Sequence, residues 1–202
     1  MSDTEKIASI LRAAGELLDD VGYEALGTTE IARQAGVSTA TLYRHFEDKH
    51  QILLRLVQSL HEAQRGVIRQ SLLQIERDPD WRAAIESLIR QSYELRLAQP
   101  GGRIARRTLH ASPSLRLLDA EQEMTLVRRL GQSMRKRVPS LSADCAQHLA
   151  LTTLTSAAAL LDLACQDARR AKRLVDEAVT LAQRYLAPHL DATRRTSRAL
   201  AA

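Results

Sequence analysis

The sequence predicts an all-α protein, an N-terminal three-helix domain followed by a larger helical bundle, with about nine helices in all. Three observations carry this. Ala, Leu and Arg dominate, Asn is absent and β-branched runs are scarce, so strong helix formers fill most positions. Apolar residues recur at three- and four-residue spacing over long windows. Gly and Pro, which end helices, fall between those windows and seldom inside them. At 202 residues and 45% apolar, the chain is long enough for one or two small domains with a real core.

Ser2-x-x-Glu5 forms a capping box that opens the first helix. Ile7, Ile10, Leu11, Ala14, Leu17, Leu18 and Val21 make its apolar stripe, with an end expected near Asp20 and Gly22 in the turn. Tyr23 and Leu26 lead onward and read as packing residues. A short helix, Thr29 to Ala35, presents Ile31, Ala32 and Ala35 on one face. Gly36 ends it, because glycine tolerates the left-handed closing conformation. Ser38 is an N-cap for a second short helix, Thr39 to Phe46. Two helices joined by a glycine-containing turn form the helix-turn-helix pattern, whose second helix enters the DNA major groove.

That second helix has a readable outward side. At about 100° per residue, Leu42 and Phe46 share the core face, leaving Ala40 and Arg44 opposite, flanked by Thr41 and Tyr43. Ala admits close approach and touches a thymine methyl. Arg pairs bidentately with guanine, and Thr meets a methyl or a polar edge. The Tyr43 hydroxyl is at a height suited to a phosphate. Read from spacing alone, the same turn is also simply a tight corner between helices.

The stretch Thr29-Glu-Ile-Ala-Arg-Gln-Ala-Gly-Val-Ser-Thr-Ala-Thr-Leu-Tyr-Arg-His-Phe-Glu-Asp-Lys49 resembles the N-terminal DNA-binding domain of the TetR family of bacterial transcriptional regulators. Length and an all-helical remainder are similar as well. The resemblance implies that Thr28, Thr29, Tyr43 and Lys49 hold phosphates. It implies that Thr39, Ala40, Thr41, Arg44 and His45 face bases or the groove wall, next to the capping Ser38. It further implies a homodimeric repressor on palindromic operator half-sites, released by a small-molecule effector. The alternative is a regulator that is constitutive or controlled by a protein partner.

Asp48 is placed to cap the next helix, with Lys49 in its first turn. Ile52, Leu53, Leu56, Val57 and Leu60 line one side, and the pattern runs on to about Ile75. The expected division is residues 1–50 for DNA binding, 51–188 for effector binding and dimerisation, and 189–202 as a loose basic tail. Asp78-Pro79-Asp80 starts a helix from Trp81 to Ala98, and Pro100-Gly101-Gly102 ends it. A short basic helix is expected from Arg103 to His110, then a break at Ser112-Pro113 and a long helix from Leu115 to Val138. The segment from Thr108 to Asp119 resembles the equivalent stretch in one C-terminal subtype of the family. Two last helices, from Ser142 to about Asp167 and from Arg169 to Leu186, resemble the family's dimerisation pair; an intramolecular hairpin is the other reading.

Charge does not mark the DNA surface. The chain carries +5 overall, but residues 1 to 50 hold five Lys or Arg against nine Asp or Glu, a net of −4. Hydroxyls, helix N-termini and a few placed cations must therefore hold phosphates. Cys145 and Cys165 fall on one predicted helix, separated by a rise of roughly 30 Å, too far apart to bond. No apolar stretch runs uninterrupted for about 18 residues, and no leader is evident, so a cytoplasmic protein without a membrane contact is expected. Phosphate-loop, Gly-x-Ser-x-Gly and metal-ligand spacings are missing from the sequence, so neither enzyme, cofactor nor metal is expected. Candidate effector contacts are Tyr93, Arg96, Leu97, His110, Met124, Leu160 and Leu163; apolar residues at this spacing also read as plain core. Arg96, Arg103, Arg106 and Arg107 suit an anionic ligand or form a solvated basic face.

Overall fold

Caps start the helices. The computed structural model describes residues 2–103 and 113–191, apart from the side chains at positions 113–115, 118 and 119. The Glu5 amide donates to Ser2 Oγ at 3.2 Å and the Ser2 amide to Glu5 Oε2 at 2.7 Å, which opens α1 (Asp3–Ala25). α2 (Thr28–Ala35) closes at Gly36, whose φ of 68° is the left-handed conformation that favours glycine. α3 (Thr39–His45) begins where the Thr41 amide donates to Ser38 Oγ at 3.1 Å. The Gln51 amide donates to Asp48 Oδ1 at 2.8 Å at the head of α4 (Lys49–Arg77). α5 (Trp81–Ala98), α6 (Pro113–Arg137), α7 (Ala143–Gln166) and α8 (Ala171–Leu190) follow, and no strand occurs among the described residues.

Two compact units form, Met1–Gln64 with Glu94–Asp119, and Arg65–Tyr93 with Ala120–Ala202. The division falls inside α4, α5 and α6. In the first unit, Ile10, Ala14 and Leu18 of α1 meet Ile31, Ala32 and Ala35 of α2, Leu42 of α3, and Ile52, Leu53 and Leu56 of α4. The first half of α4 thus completes the core under α3. In the second unit, Trp81, Ile85 and Ile89 of α5 share a core with Val127, Leu130 and Met134 of α6, Leu149 and Leu161 of α7, and Val175, Ala182 and Leu186 of α8.

α7 is, among the described residues, the one helix long and apolar enough to cross a membrane, with a mean hydropathy of 1.4. Its Leu149, Ala150, Ala157, Leu161 and Ala164 are buried in the second core, while Leu151 and Leu163 are exposed. Cys145 and Cys165 are half-buried on this helix, and neither is in a disulfide.

Two expectations are corrected. The α1 stripe stops before Val21, which is 52% exposed. Gly22, at φ 76° and ψ 174°, kinks the helix there and redirects the following turn. At the other end, α8 does not stop at Leu186 but continues through Pro188 to Leu190. Proline in the last turn deprives only one carbonyl of its partner. Against that small loss, Leu190 is buried, and the Asp191 carboxylate accepts Trp81 Nε1 and Arg82 Nη1, each at 3.0 Å. Residues 189–191 are therefore held by the fold and are not part of a tail. The expected helix from Arg103 to His110 and the rest of the tail lie outside the described residues.

Candidate nucleic-acid interface

Burial of Leu42 and Phe46 in the first core fixes how α3 is rotated. Ser38, Thr39, Ala40, Tyr43 and Arg44 are consequently exposed, and Thr41 is half-buried. Seven residues make only about two turns, so these two anchors leave the helix little freedom. The Thr41 and Ser38 hydroxyls share a hydrogen bond of 2.9 Å beside the cap, so both side chains are tied to the turn.

Tyr43 leans toward the start of α2, where its hydroxyl lies 2.9 Å from Thr28 Oγ1. Thr29 is exposed next to it. Gly27, the N-cap of α2, has no side chain to offer, so the first amides of α2 lack a side-chain partner. Amides in that setting bind anions well, because they point outward at the positive end of the helix dipole. Two hydroxyls and a helix N-terminus therefore converge, which compensates locally for the acidic balance of this region.

Lys49 is half-buried: Nζ donates to the Tyr23 carbonyl at 3.2 Å and sits 4.5 Å above the centre of the Tyr23 ring. An ammonium has three protons, so two remain for another acceptor. The Tyr23 phenol is pushed up from its ordinary value, by burial first and then by the charges of Glu24 and Asp48. Arg33 is engaged by Glu30, with Nε to Oε2 at 2.9 Å; that hydrogen bond holds the Glu30 carboxyl below its ordinary value.

His45 does not face the groove side. Its side chain is only 12% exposed and its buried Nε2 has no hydrogen-bond partner, with Asp3 Oδ1 at 3.8 Å. The reason is positional: three residues past Leu42, it lies on the inward face of the helix. Asp3 was not picked out by sequence reasoning beyond the capping box it sits in. Its Oδ1 accepts Arg44 Nη2 at 3.3 Å and Lys6 Nζ at 3.2 Å. The Lys6 hydrogen bond and charge, joined by Arg44 and His45, hold the Asp3 carboxyl below its ordinary value. No local signal points from position 3 to position 44.

Of the effector candidates, Tyr93 and Leu160 pack against the second core and Arg96 is half-buried. Leu97, Met124 and Leu163 stand 40%, 36% and 51% exposed. His110, Arg106 and Arg107 lie outside the described residues, and Arg103 is exposed. A shallow cleft of about 160 Å³, lined by Val127, Arg128, Gly131, Gln132, Arg135, Ala143 and Gln147, contains none of them. On the α7–α8 hairpin, Leu151, Leu163, Leu181 and Tyr185 remain exposed.

The family model described as "Bacterial regulatory proteins, tetR family" matches residues 10–56. A second, "Tetracyclin repressor-like, C-terminal domain", matches residues 80–186. The chain is 32% identical over 120 residues to the tetracycline repressor protein class C of Escherichia coli, a match covering 56% of this chain and 50% of that protein. It is 40% identical over 68 residues to the HTH-type transcriptional activator FasR of Mycolicibacterium smegmatis, covering 34% of this chain and 31% of that protein. The chain thus spans half or less of the length of these curated relatives. A crystal structure of a TetR-family transcriptional regulator from Streptomyces coelicolor matches with a TM-score of 0.65 at 24% identity, covering 92% of this chain and 99% of that one. A transcriptional regulator from Rhodococcus matches with a TM-score of 0.67 at 19% identity, covering 91% and 97%. At such identities the shared property is the fold. With both family models together spanning most of its length, this chain belongs to the TetR family of bacterial regulatory proteins.

Proposed function

We propose that this chain is a homodimeric, cytoplasmic transcriptional regulator that binds palindromic operator DNA, represses, and is released by a small-molecule effector. The carrying observation is the outward set Ala40, Tyr43 and Arg44 on a helix held by Leu42 and Phe46. In this reading α3 lies in the major groove. Ala40 permits close approach, Arg44 pairs with a base edge, and Thr39 and Thr41 meet the groove wall. Thr28, Thr29, Tyr43, Lys49 and the open amides of α2 hold phosphates on either side. The protein acts by binding and carries out no catalysis.

The exposed Leu151, Leu163, Leu181 and Tyr185 of α7 and α8 support a dimer through that hairpin, since large apolar side chains grouped on a surface favour association. Half-sites are then spaced by about one helical turn or a multiple of it. An effector contacts some of Tyr93, Arg96, Leu97, His110, Met124, Leu160 and Leu163. A coupling of about 1–3 kcal/mol changes operator affinity five- to 150-fold. The exposure of Leu97, Met124 and Leu163 favours a second reading, a regulator without a small-molecule ligand.

Electrophoretic retardation of the upstream intergenic DNA at fixed salt, with and without candidate metabolites, tests this. Specific retardation by a two-subunit particle, relieved by a metabolite, supports the first reading. Retardation that no metabolite changes favours the second, and absence of specific retardation removes both.

A further inference from the structure

We infer that Asp3 is a positioning residue for Arg44 and thereby helps set which base pair α3 selects; the inference rests on the DNA-binding reading above. The carboxylate is 67% exposed and has two cationic partners. It occupies the first position of α1, next to a complete capping box, and Lys6 Nζ holds Oδ1 at 3.2 Å. From there Oδ1 reaches across 41 positions of sequence to Arg44 Nη2 at 3.3 Å. His45 Nε2, buried beneath, lies 3.8 Å from the same oxygen.

This link occupies one of the five guanidinium N–H donors and leaves four, enough for a bidentate pair with guanine O6 and N7. An arginine without such a tether is drawn to the nearest phosphates, and contacts there carry no sequence information. Asp3 opposes that in two ways. It restrains the guanidinium, and its own negative charge repels phosphates close to it. Both effects lower sequence-independent affinity and raise the ratio of specific to non-specific binding. A carboxylate beside the reading helix is unfavourable for affinity alone, and selectivity is the property it improves.

The test uses the full chain and a duplex that the wild-type protein enriches from a random-sequence pool. Dissociation constants are measured at one salt concentration for that duplex, for each single base-pair replacement and for an unrelated duplex. Asp3→Asn, Asp3→Ser and Arg44→Ala are compared with wild type, and thermal melts confirm that each is folded. Arg44→Ala identifies the base pair that Arg44 reads. Asp3→Asn and Asp3→Ser are expected to weaken the preference at that base pair by about two- to fivefold, the range that an exposed ion pair supplies. They leave other positions unchanged and bind the unrelated duplex more tightly. An unchanged preference, a loss spread evenly over all positions, or an Arg44→Ala variant with no position-specific loss overturns the inference alone. If wild-type protein enriches no duplex, the DNA-binding reading itself fails and this inference falls with it.

Discussion

Gly15 of α1 lies directly against Pro100: a Cβ at position 15 would stand 2.5 Å from the Pro100 carbonyl carbon and 2.7 Å from its Cβ. The neighbouring Gly101 amide donates to Asp19 Oδ2 at 3.0 Å, which fastens the same turn to α1 within the first unit. Two effects compete in Gly15→Ala. Helix propensity favours alanine by about 0.5–1 kcal/mol. Overpacking against backbone costs about 1–3 kcal/mol, and a backbone neighbour does not swing aside. The variant is expected to be net destabilised, with a lower urea midpoint and an unchanged slope.

Holding the fold and reading the groove are separable on α3. Leu42→Ala removes a buried anchor and is expected to cost about 2–5 kcal/mol of stability, abolishing DNA retardation along with it. Tyr43→Phe deletes the hydroxyl that meets Thr28 at 2.9 Å on an exposed surface. Its stability changes by less than about 1 kcal/mol, while DNA affinity falls by a similar factor on every sequence. Thermal melts and retardation assays on the same preparations distinguish the two outcomes.

Glu76 carries an acid-sensitive part of the second unit. Its Oε1 accepts Ser133 Oγ at 2.9 Å and Lys136 Nζ at 3.0 Å. Burial by itself raises the carboxyl, but the hydrogen bonds from Lys136 and Ser133 outweigh it and hold the group below its ordinary value of 4.5. A carboxyl depressed in the folded state stabilises above its unfolded value, and the contribution is lost as pH falls through the folded value. Wild type is therefore expected to exceed Glu76→Gln in stability at pH 7 and to lose that margin below pH 4.5, in denaturant titrations across pH.

A chain ending at Pro188 should be less stable than one ending at Asp191. It loses buried Leu190, and it leaves Trp81 Nε1 without the Asp191 carboxylate that now lies 3.0 Å away. The Leu190 loss alone is expected to cost about 2–5 kcal/mol, readable as a shift in the denaturant midpoint between the two truncations.

Leu163→Arg places a charge where a large apolar side chain is now exposed on α7. In a monomer that substitution is nearly neutral, within about 0.5 kcal/mol. At a self-complementary apolar interface it is repeated in both copies and buries unpaired charge. Sedimentation velocity is expected to show the variant at half the wild-type mass, with helicity retained. An unchanged particle would argue against the α7–α8 dimer.

Much of the fold was legible because its signals are local. The capping box at Ser2 and Glu5, the Ser38 cap, the Gly36 stop and the inward pair Leu42 and Phe46 all operate within a few residues, and helix periodicity carries them into three dimensions. Helix order, the turn between α2 and α3, and the outward side of α3 were thus determined by sequence alone. The tertiary structure decided the rest. It paired Arg44 with Asp3, seated Lys49 on Tyr23 and carried α8 through Pro188 to the Asp191 clasp. It also brought the turn after α5 onto α1 at Gly15, so that the first unit includes residues far beyond position 50. Each of these depends on which distant segments approach one another, and spacing along a chain encodes faces and ends of helices but not their neighbours.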